Sequence, residues 1–190
     1  MQTLELYKSA DIAKGILEKI KTYKKETAIM EVCGTHTVAI FRTGIRSSLP
    51  SNIRLISGPG CPVCVTPLNV IEGAIQLACK KEHILFCFGD MLKVPGITYT
   101  LEEARASKHA NVKIMYSPLE ALLYAKDNLG KKVILFGVGF ETTIPLFASV
   151  LIRAKRLNID NLYLYSDFKL VPPALKALLD SGDVKLDALL

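Results

Sequence analysis

The 190-residue sequence predicts an α/β fold, with parallel sheets flanked by helices and arranged as two similar lobes. Three observations carry that prediction. Short apolar runs alternate with helical stretches along almost the whole chain. Those runs are apolar at nearly every position, as expected for parallel strands covered on both faces, and not at every second position as in a half-exposed sheet. The helical stretches between them open on explicit capping chemistry, which separates them from loops.

Taken in order, apolar Ile12, Ile16, Leu17 and Ile20 recur at helical spacing and predict an amphipathic helix over 4–23. Strands are expected at 28–32, 53–56, 84–88, 112–115, 133–136, 162–165 and 186–190. Helices are expected at 37–48, 67–81, 101–108, 118–129, 143–157 and 173–180. Thr66-Pro67 reads as an N-cap followed by proline at the first helical position. Thr100-Leu-Glu-Glu103 and Ser117-Pro-Leu-Glu120 read as capping boxes, each pairing a hydroxyl with a glutamate three residues on. The Pro-, Gly- and Thr-containing stretch 90–100 is the longest connection. It sets the expected seam, with a first lobe at 1–96 and a second at 97–190. The final Val-Lys-Leu-Asp-Ala-Leu-Leu reads as a strand lacking its following helix, so the second lobe is expected to be truncated.

Composition bounds the function. Half the residues are hydrophobic and 22% are charged, the balance of a folded globular protein. The longest apolar run, 133–140, is far short of the about 20 residues of a membrane span. The first residues lack the basic-then-apolar pattern of a secretion signal. The expectation is a cytoplasmic protein without membrane partners, where cysteines serve metals or redox chemistry more often than structural disulfides. The net charge of +6 is scattered along helix faces, and no nucleic-acid module is present, so no nucleic-acid partner is expected.

The chemistry concentrates at expected strand ends. Gly58-Pro-Gly-Cys61-Pro-Val-Cys64 sets two thiols three residues apart ahead of a helix start, where the helix dipole favours a thiolate and a reversible disulfide. Cys33-Gly-Thr-His36 sets a thiol and an imidazole at the same spacing, with Thr35 as the expected N-cap. Asp90 and Glu141 are carboxylates that each end an apolar strand, able to orient a histidine, take a proton or cap a helix. If these strands are parallel neighbours, the four loops share one edge, where α/β sheets bind ligands. Cys79 and Cys87 read as buried, structural thiols. His83 and His109 read as solvated.

Three readings follow from the residues: a metal-binding scaffold with thiol redox activity, a thiol-disulfide oxidoreductase or Cys/His hydrolase with Cys33 as nucleophile, and a structural Cys3His zinc site built from Cys33, His36, Cys61 and Cys64.

Four segments in order resemble the HypD family of [NiFe]-hydrogenase maturation proteins. They are Met30-Glu-Val-Cys-Gly-Thr-His36, Ser57-Gly-Pro-Gly-Cys-Pro-Val-Cys-Val-Thr-Pro67, Phe88-Gly-Asp-Met-Leu-Lys-Val-Pro95 and Gly139-Phe-Glu-Thr-Thr143. The resemblance implies two α/β lobes with thioredoxin-like character and a role in assembling an Fe(CN)2CO unit with the small chaperone HypC and the cyanide donor HypE. It implies iron binding at Cys33 with His36 beside it, and a redox pair at Cys61 and Cys64. It also implies a [4Fe–4S] cluster in a further region, whose ligands are not expected in residues 1–190, since no cysteine follows Cys87. The sequence thus reads as an assembly scaffold more than as a conventional enzyme.

Overall fold

A computed structural model describes residues 9–58, 60–107 and 109–190. Every strand pairing in it is parallel, as the unbroken apolar runs require, and the strands form two separate sheets. In the first, β1 (Thr27–Glu31) lies at the centre, with β2 (Ile53–Ser57) on one side and β7 (Ala188–Leu189) on the other. The register sets Ile29 opposite Leu55 and Glu31 opposite Ser57. The second sheet has the order β4-β3-β5-β6, built from β3 (His83–Cys87), β4 (Val112–Ile114), β5 (Lys132–Gly139) and β6 (Leu162–Phe168).

The second sheet shows why its strands are apolar at every position. Along β5, Ile134, Phe136 and Val138 face α4 (Leu68–Ala78) and α5 (Leu101–Ser107), joining a core with Ile71, Ile75 and Leu101. Val133 and Leu135 face the opposite way, against Leu122 of α6 (Pro118–Asp127) and Phe147 and Val150 of α7 (Ile144–Arg156). Alternate side chains of one strand thus fill two cores, so no position is left for a polar residue. Phe147 carries edge-on contacts to Phe88 and Phe168 at ring separations of 6.0 and 5.3 Å, geometry that favours aromatic pairs.

Capping chemistry places the helices. The Ser117 hydroxyl and the Glu120 carboxylate form the expected box at α6, with Glu120 accepting from the Ser117 N–H at 2.9 Å. Glu103 accepts from the Thr100 N–H at 2.8 Å, and the Thr100 hydroxyl accepts from the Glu103 N–H in return. The first described helix, α1 (Ala10–Lys21), starts at Ser9, whose hydroxyl accepts from the Ile12 N–H. It falls within the expected 4–23, of which residues 4–8 lie outside the described residues. The expected helix over 37–48 starts earlier and is interrupted by the left-handed Gly44, giving α2 (Gly34–Thr43) and the short α3 (Ile45–Ser48). The last helix is α8 (Val171–Asp180).

The chain divides into two compact units, but not at the expected seam. One holds the described residues up to Cys61 together with Pro172–Leu190, and the other is Pro62–Val171. The expected boundary at 96/97 falls inside the second unit, because β3 pairs there with β4 and β5. The 90–100 stretch is packed and not a linker. Its 3-10 turn, Gly89–Lys93, buries Met91 and Leu92, and the Gly96 N–H donates to the Tyr99 carbonyl at 2.9 Å. No helix among the described residues is long and apolar enough to cross a membrane.

Candidate functional site

The strand orders define where each unit can hold a ligand. β1 has neighbours reached by connections on opposite sides, so the first sheet changes winding direction at β1. The second does so between β3 and β5. Ligands of open α/β sheets bind outside the carboxyl ends of strands at such points. In the first unit the residues there are Cys33 to His36. In the second they are the Asp90 turn after β3 and the Glu141 segment after β5. The four loops therefore belong to two sheets, not to the single edge that the sequence suggested.

Cys33 is itself the N-cap of α2, with extended backbone, where Thr35 was expected to play that part. Its carbonyl accepts from the His36 N–H at 2.9 Å. The thiol is half-buried, and its pKa is lowered from the ordinary 9.0. The backbone N–H of Thr35 is the main cause; the Thr35 hydroxyl and the His36 N–H add to it, against the opposing effect of partial burial. No first-turn N–H meets the side chain in strict cap geometry, so the effect is the dipolar one of first-turn N–H groups directed at the thiol. The His36 residue is exposed on the first turn of α2.

The second thiol loop is pressed against the first. The Gly58 N–H donates to the Glu31 carbonyl at 2.9 Å. A side chain at Gly58 would place its Cβ 2.3 Å from that same oxygen, so only glycine lets the loop close onto β1. Farther along, a Cβ added at Gly34 would stand 3.6 Å from the Cβ of Cys61. The first turn of α2, carrying the Cys33 loop, and the start of the C-x-x-C loop thus lie within one methyl group of van der Waals contact in the first unit.

Cys64 lies on the other side of the division between the units. All five cysteines are in the thiol form; Cys61 is half-buried and Cys64 exposed. Residues 62–65 form a turn that Thr66 closes, its hydroxyl donating to the Pro62 carbonyl at 2.9 Å and its N–H to the Val63 carbonyl at 3.3 Å. Thr66 is therefore not a helix cap. Pro67 is the N-cap of α4 and offers no side-chain bond, so Cys64 sits a full turn of chain before the first helical residue, Leu68. The expected helix-dipole activation of this pair loses its geometric basis.

The carboxylates differ in their occupations. Glu141 Oε1 accepts from the Val171 N–H at 2.6 Å, a bond within the second unit. Asp90 is exposed on the 3-10 turn and, after burial itself, raises the pKa of the Cys87 thiol, which is pushed up to about 12. Cys87 is fully buried in β3, as expected. Cys79 is not; it caps the carboxyl end of α4 and is exposed. His109 is exposed as expected, whereas the Nδ1 of His83 is buried without a partner among the described residues.

Sequence reading missed Glu31. It is 1% exposed at the end of β1, and its Oε2 is buried without a hydrogen-bond partner among the described residues. The signal was present: a carboxylate ending an apolar strand, as at Asp90 and Glu141, two residues before Cys33. Among the described residues no three His, Cys, Asp or Glu side chains are assembled for a metal ion. The four-ligand zinc reading therefore has no assembled ligand set. A [4Fe–4S] donor set is likewise not assembled among them.

A parallel α/β protein with a thiol at a strand-end helix cap and Cys61 near that helix is a cysteine-bearing α/β protein, and its relatives belong to hydrogenase formation. Residues 9–190 match the profile described as "HypD: Hydrogenase formation hypA family". The chain belongs to the HypD family. It is 38% identical to hydrogenase maturation factor HypD of Escherichia coli (strain K12), over 100% of this chain and 53% of that protein. It is 45% identical to hydrogenase maturation factor HypD of Azotobacter vinelandii, over 87% of this chain and 44% of that one. A putative hydrogenase expression/formation protein of Methanocaldococcus jannaschii is 40% identical over 95% of this chain and 49% of its own length. The chain thus spans about half the length of the curated relatives it matches.

Proposed function

We propose that this chain acts in hydrogenase maturation as a cytoplasmic scaffold on which iron, as cargo, is held by Cys33 while an Fe(CN)2CO unit is assembled. The carrying observation is the placement of Cys33: an N-cap thiol of lowered pKa at the switch point of the first sheet, with the Cys61 loop packed against its helix. A thiolate is a strong donor to low-spin Fe(II), and cyanide and CO require an electron-rich metal. The Thr35 N–H, helped by the Thr35 hydroxyl and the His36 N–H, holds Cys33 toward the thiolate. His36, exposed on the same turn, is the second donor.

Cys61 and Cys64 serve as the redox pair in this reading. Closing their disulfide passes two electrons to the iron unit under assembly and releases two protons, and an external dithiol reductant reopens it, taking up two protons. The exposed Cys64 is the thiol an incoming partner reaches first. HypC is the small chaperone that supplies the remaining ligands from its own side, and HypE is the cyanide donor. Asp90 and Glu141 lie at the second unit's switch point, where Glu141 is engaged by the Val171 N–H.

Cys33→Ala tests the reading directly. Expected are loss of iron loading and of hydrogenase maturation when the change is placed in a full-length relative, with thermal stability little altered. A variant that matures hydrogenase normally removes Cys33 from the site. For the redox pair, thiol trapping across stepped potentials should show a two-electron transition that Cys61→Ser abolishes. Equal alkylation of both thiols in oxidised and reduced samples would refute that role.

A further inference from the structure

The amino end of the second sheet carries basic groups that the maturation chemistry does not use. His83 and Lys132 open β3 and β5 and stand opposite each other in the parallel register. Strand alternation puts His83 on the side of Leu85 and Lys132 on the side of Ile134, the face that packs against α4. Lys80 follows directly on Cys79, the cap that ends α4. These residues line one slot of about 340 Å³, within the range of small-molecule sites.

The rest of the lining is largely apolar. Leu77 of α4, Ile134 of β5 and Tyr165 of β6 contribute walls. Tyr165 is fixed in place, its hydroxyl donating to the Val70 carbonyl at 3.2 Å and its ring packed on Phe136 at 5.5 Å. No carboxylate lines the slot, and neither lysine is in an ion pair among the described residues. The cations are thus gathered without a counter-charge, an arrangement that an anion relieves. His83 registers the same imbalance. Its pKa is lowered by burial first and then by Lys80, with Lys132 adding, against the opposing Leu77 carbonyl and Glu82. Its Nδ1 is the buried, unpartnered atom noted above.

We infer that this slot binds a small organic carboxylate, its apolar body against Leu77, Ile134 and Tyr165 and its charge at Lys80, Lys132 and His83. Phosphate fits less well. Phosphate sites use the free N–H groups of helix N-termini, whereas α4 brings its carboxyl end here, where the dipole repels negative charge. A single carboxylate charge is the smaller burden, and the two lysines oppose that repulsion. The slot lies at the other end of the strands from the Asp90 and Glu141 segments of the same unit, so the inference stands independently of the iron reading.

The test titrates the whole chain with phenylacetate, followed by the methyl resonances of Leu77 and Ile134 and the imidazole resonances of His83. Saturable binding that moves all of them is expected, with His83 titrating at higher pH once the anion is bound. Phenethylamine, with the same ring and the opposite charge, should not bind. Acetate, with the charge and no ring, should bind at least about tenfold more weakly, since it buries little apolar surface. The double variant Lys80→Gln/Lys132→Gln changes exposed side chains, so the fold should persist while phenylacetate affinity falls about tenfold. Equal binding of phenethylamine overturns the inference, and so does an unchanged affinity in the double variant. Equal affinity for acetate and phenylacetate, or tighter binding of inorganic phosphate, would reduce the slot to an anion patch and overturn it too. Binding that leaves the Leu77 and Ile134 methyls unmoved, or no binding at all, has the same consequence.

Discussion

The two units solve the same architectural problem with unequal cores. In the second, α4 and α5 cover one sheet face and α6 and α7 the other, and Phe136, Leu85, Leu135 and Phe147 are buried to 1% exposure or less. In the first, α1 contributes no buried residue and α2 only Ile40, while Ile16, Val38 and Phe41 are about half or more exposed. The first unit nonetheless carries Cys33. The half-buried Cys33 thiol sits on the element with the thinner packing, and the denser unit has Cys87 sealed inside a strand. Stability and access are thus divided between regions of one chain, in keeping with the low local stability typical of binding segments.

The largest expected effect breaks the dense core. Phe136→Ala should cost about 3–5 kcal/mol in denaturant unfolding, since a fully buried ring in contact with Tyr165 leaves a cavity. Phe41→Ala, at 62% exposure, should change stability by no more than about 0.5 kcal/mol. Comparable losses at the two positions would erase the contrast between the units.

Gly58→Ala probes the thinner unit where it is tightest. The added carbon meets a backbone oxygen that cannot rotate away, so a loss of about 1–3 kcal/mol is expected, with altered reactivity at Cys61. A stable variant with unchanged thiol chemistry would mean that the loop does not need its closure onto β1.

Alkaline pH should separate the units by their cysteines. The Cys87 pKa is raised from 9.0 to about 12 on folding, so the unfolded chain releases this proton first. Its contribution to stability is complete below pH 9 and declines as pH rises from 9 towards 12. Cys87→Ala should flatten that alkaline limb of the stability curve. Cys33 behaves in the opposite sense: its lowered pKa predicts alkylation with a midpoint below 9.0. Replacing Thr35 by proline, which removes the leading N–H, should move that midpoint upward. A midpoint that does not move would place the cause elsewhere.

The smallest effect sharpens the account of helix placement. Ser117→Ala should cost about 1 kcal/mol by removing one half of the capping box at α6. Thr66→Ala should instead loosen the C-x-x-C turn, because Thr66 bonds to Pro62 and not to α4. The readout is the alkylation rate of Cys64.

Much of this was legible because it is local. The capping boxes at Thr100 and Ser117 involve groups three residues apart, and the doubly covered strands announce themselves by continuous apolar runs. The motifs that carry Cys33, Cys61 and Cys64 also lie within short segments. Where the reading slipped, the deciding contact was distant in sequence. Thr66-Pro67 had the residues of a helix start, but the carbonyl of Pro62 claimed the threonine. Cys79 had the helical spacing of a core residue, but α4 ends there.

Fold class, parallel pairing and the thiol motifs were thus settled by residue pattern, because periodicity and capping act over a few residues. The partition of the strands was settled by packing. The 90–100 stretch reads as a seam from its Pro, Gly and Thr content, yet Met91 and Leu92 find a buried place beside α5 and draw it into the second unit. Neither the closure of the Gly58 loop onto Glu31 nor the open edge of β6 leaves a local signature. Both depend on which strand lies next to which, a choice made by burial of apolar surface across the whole chain and not by any run of residues.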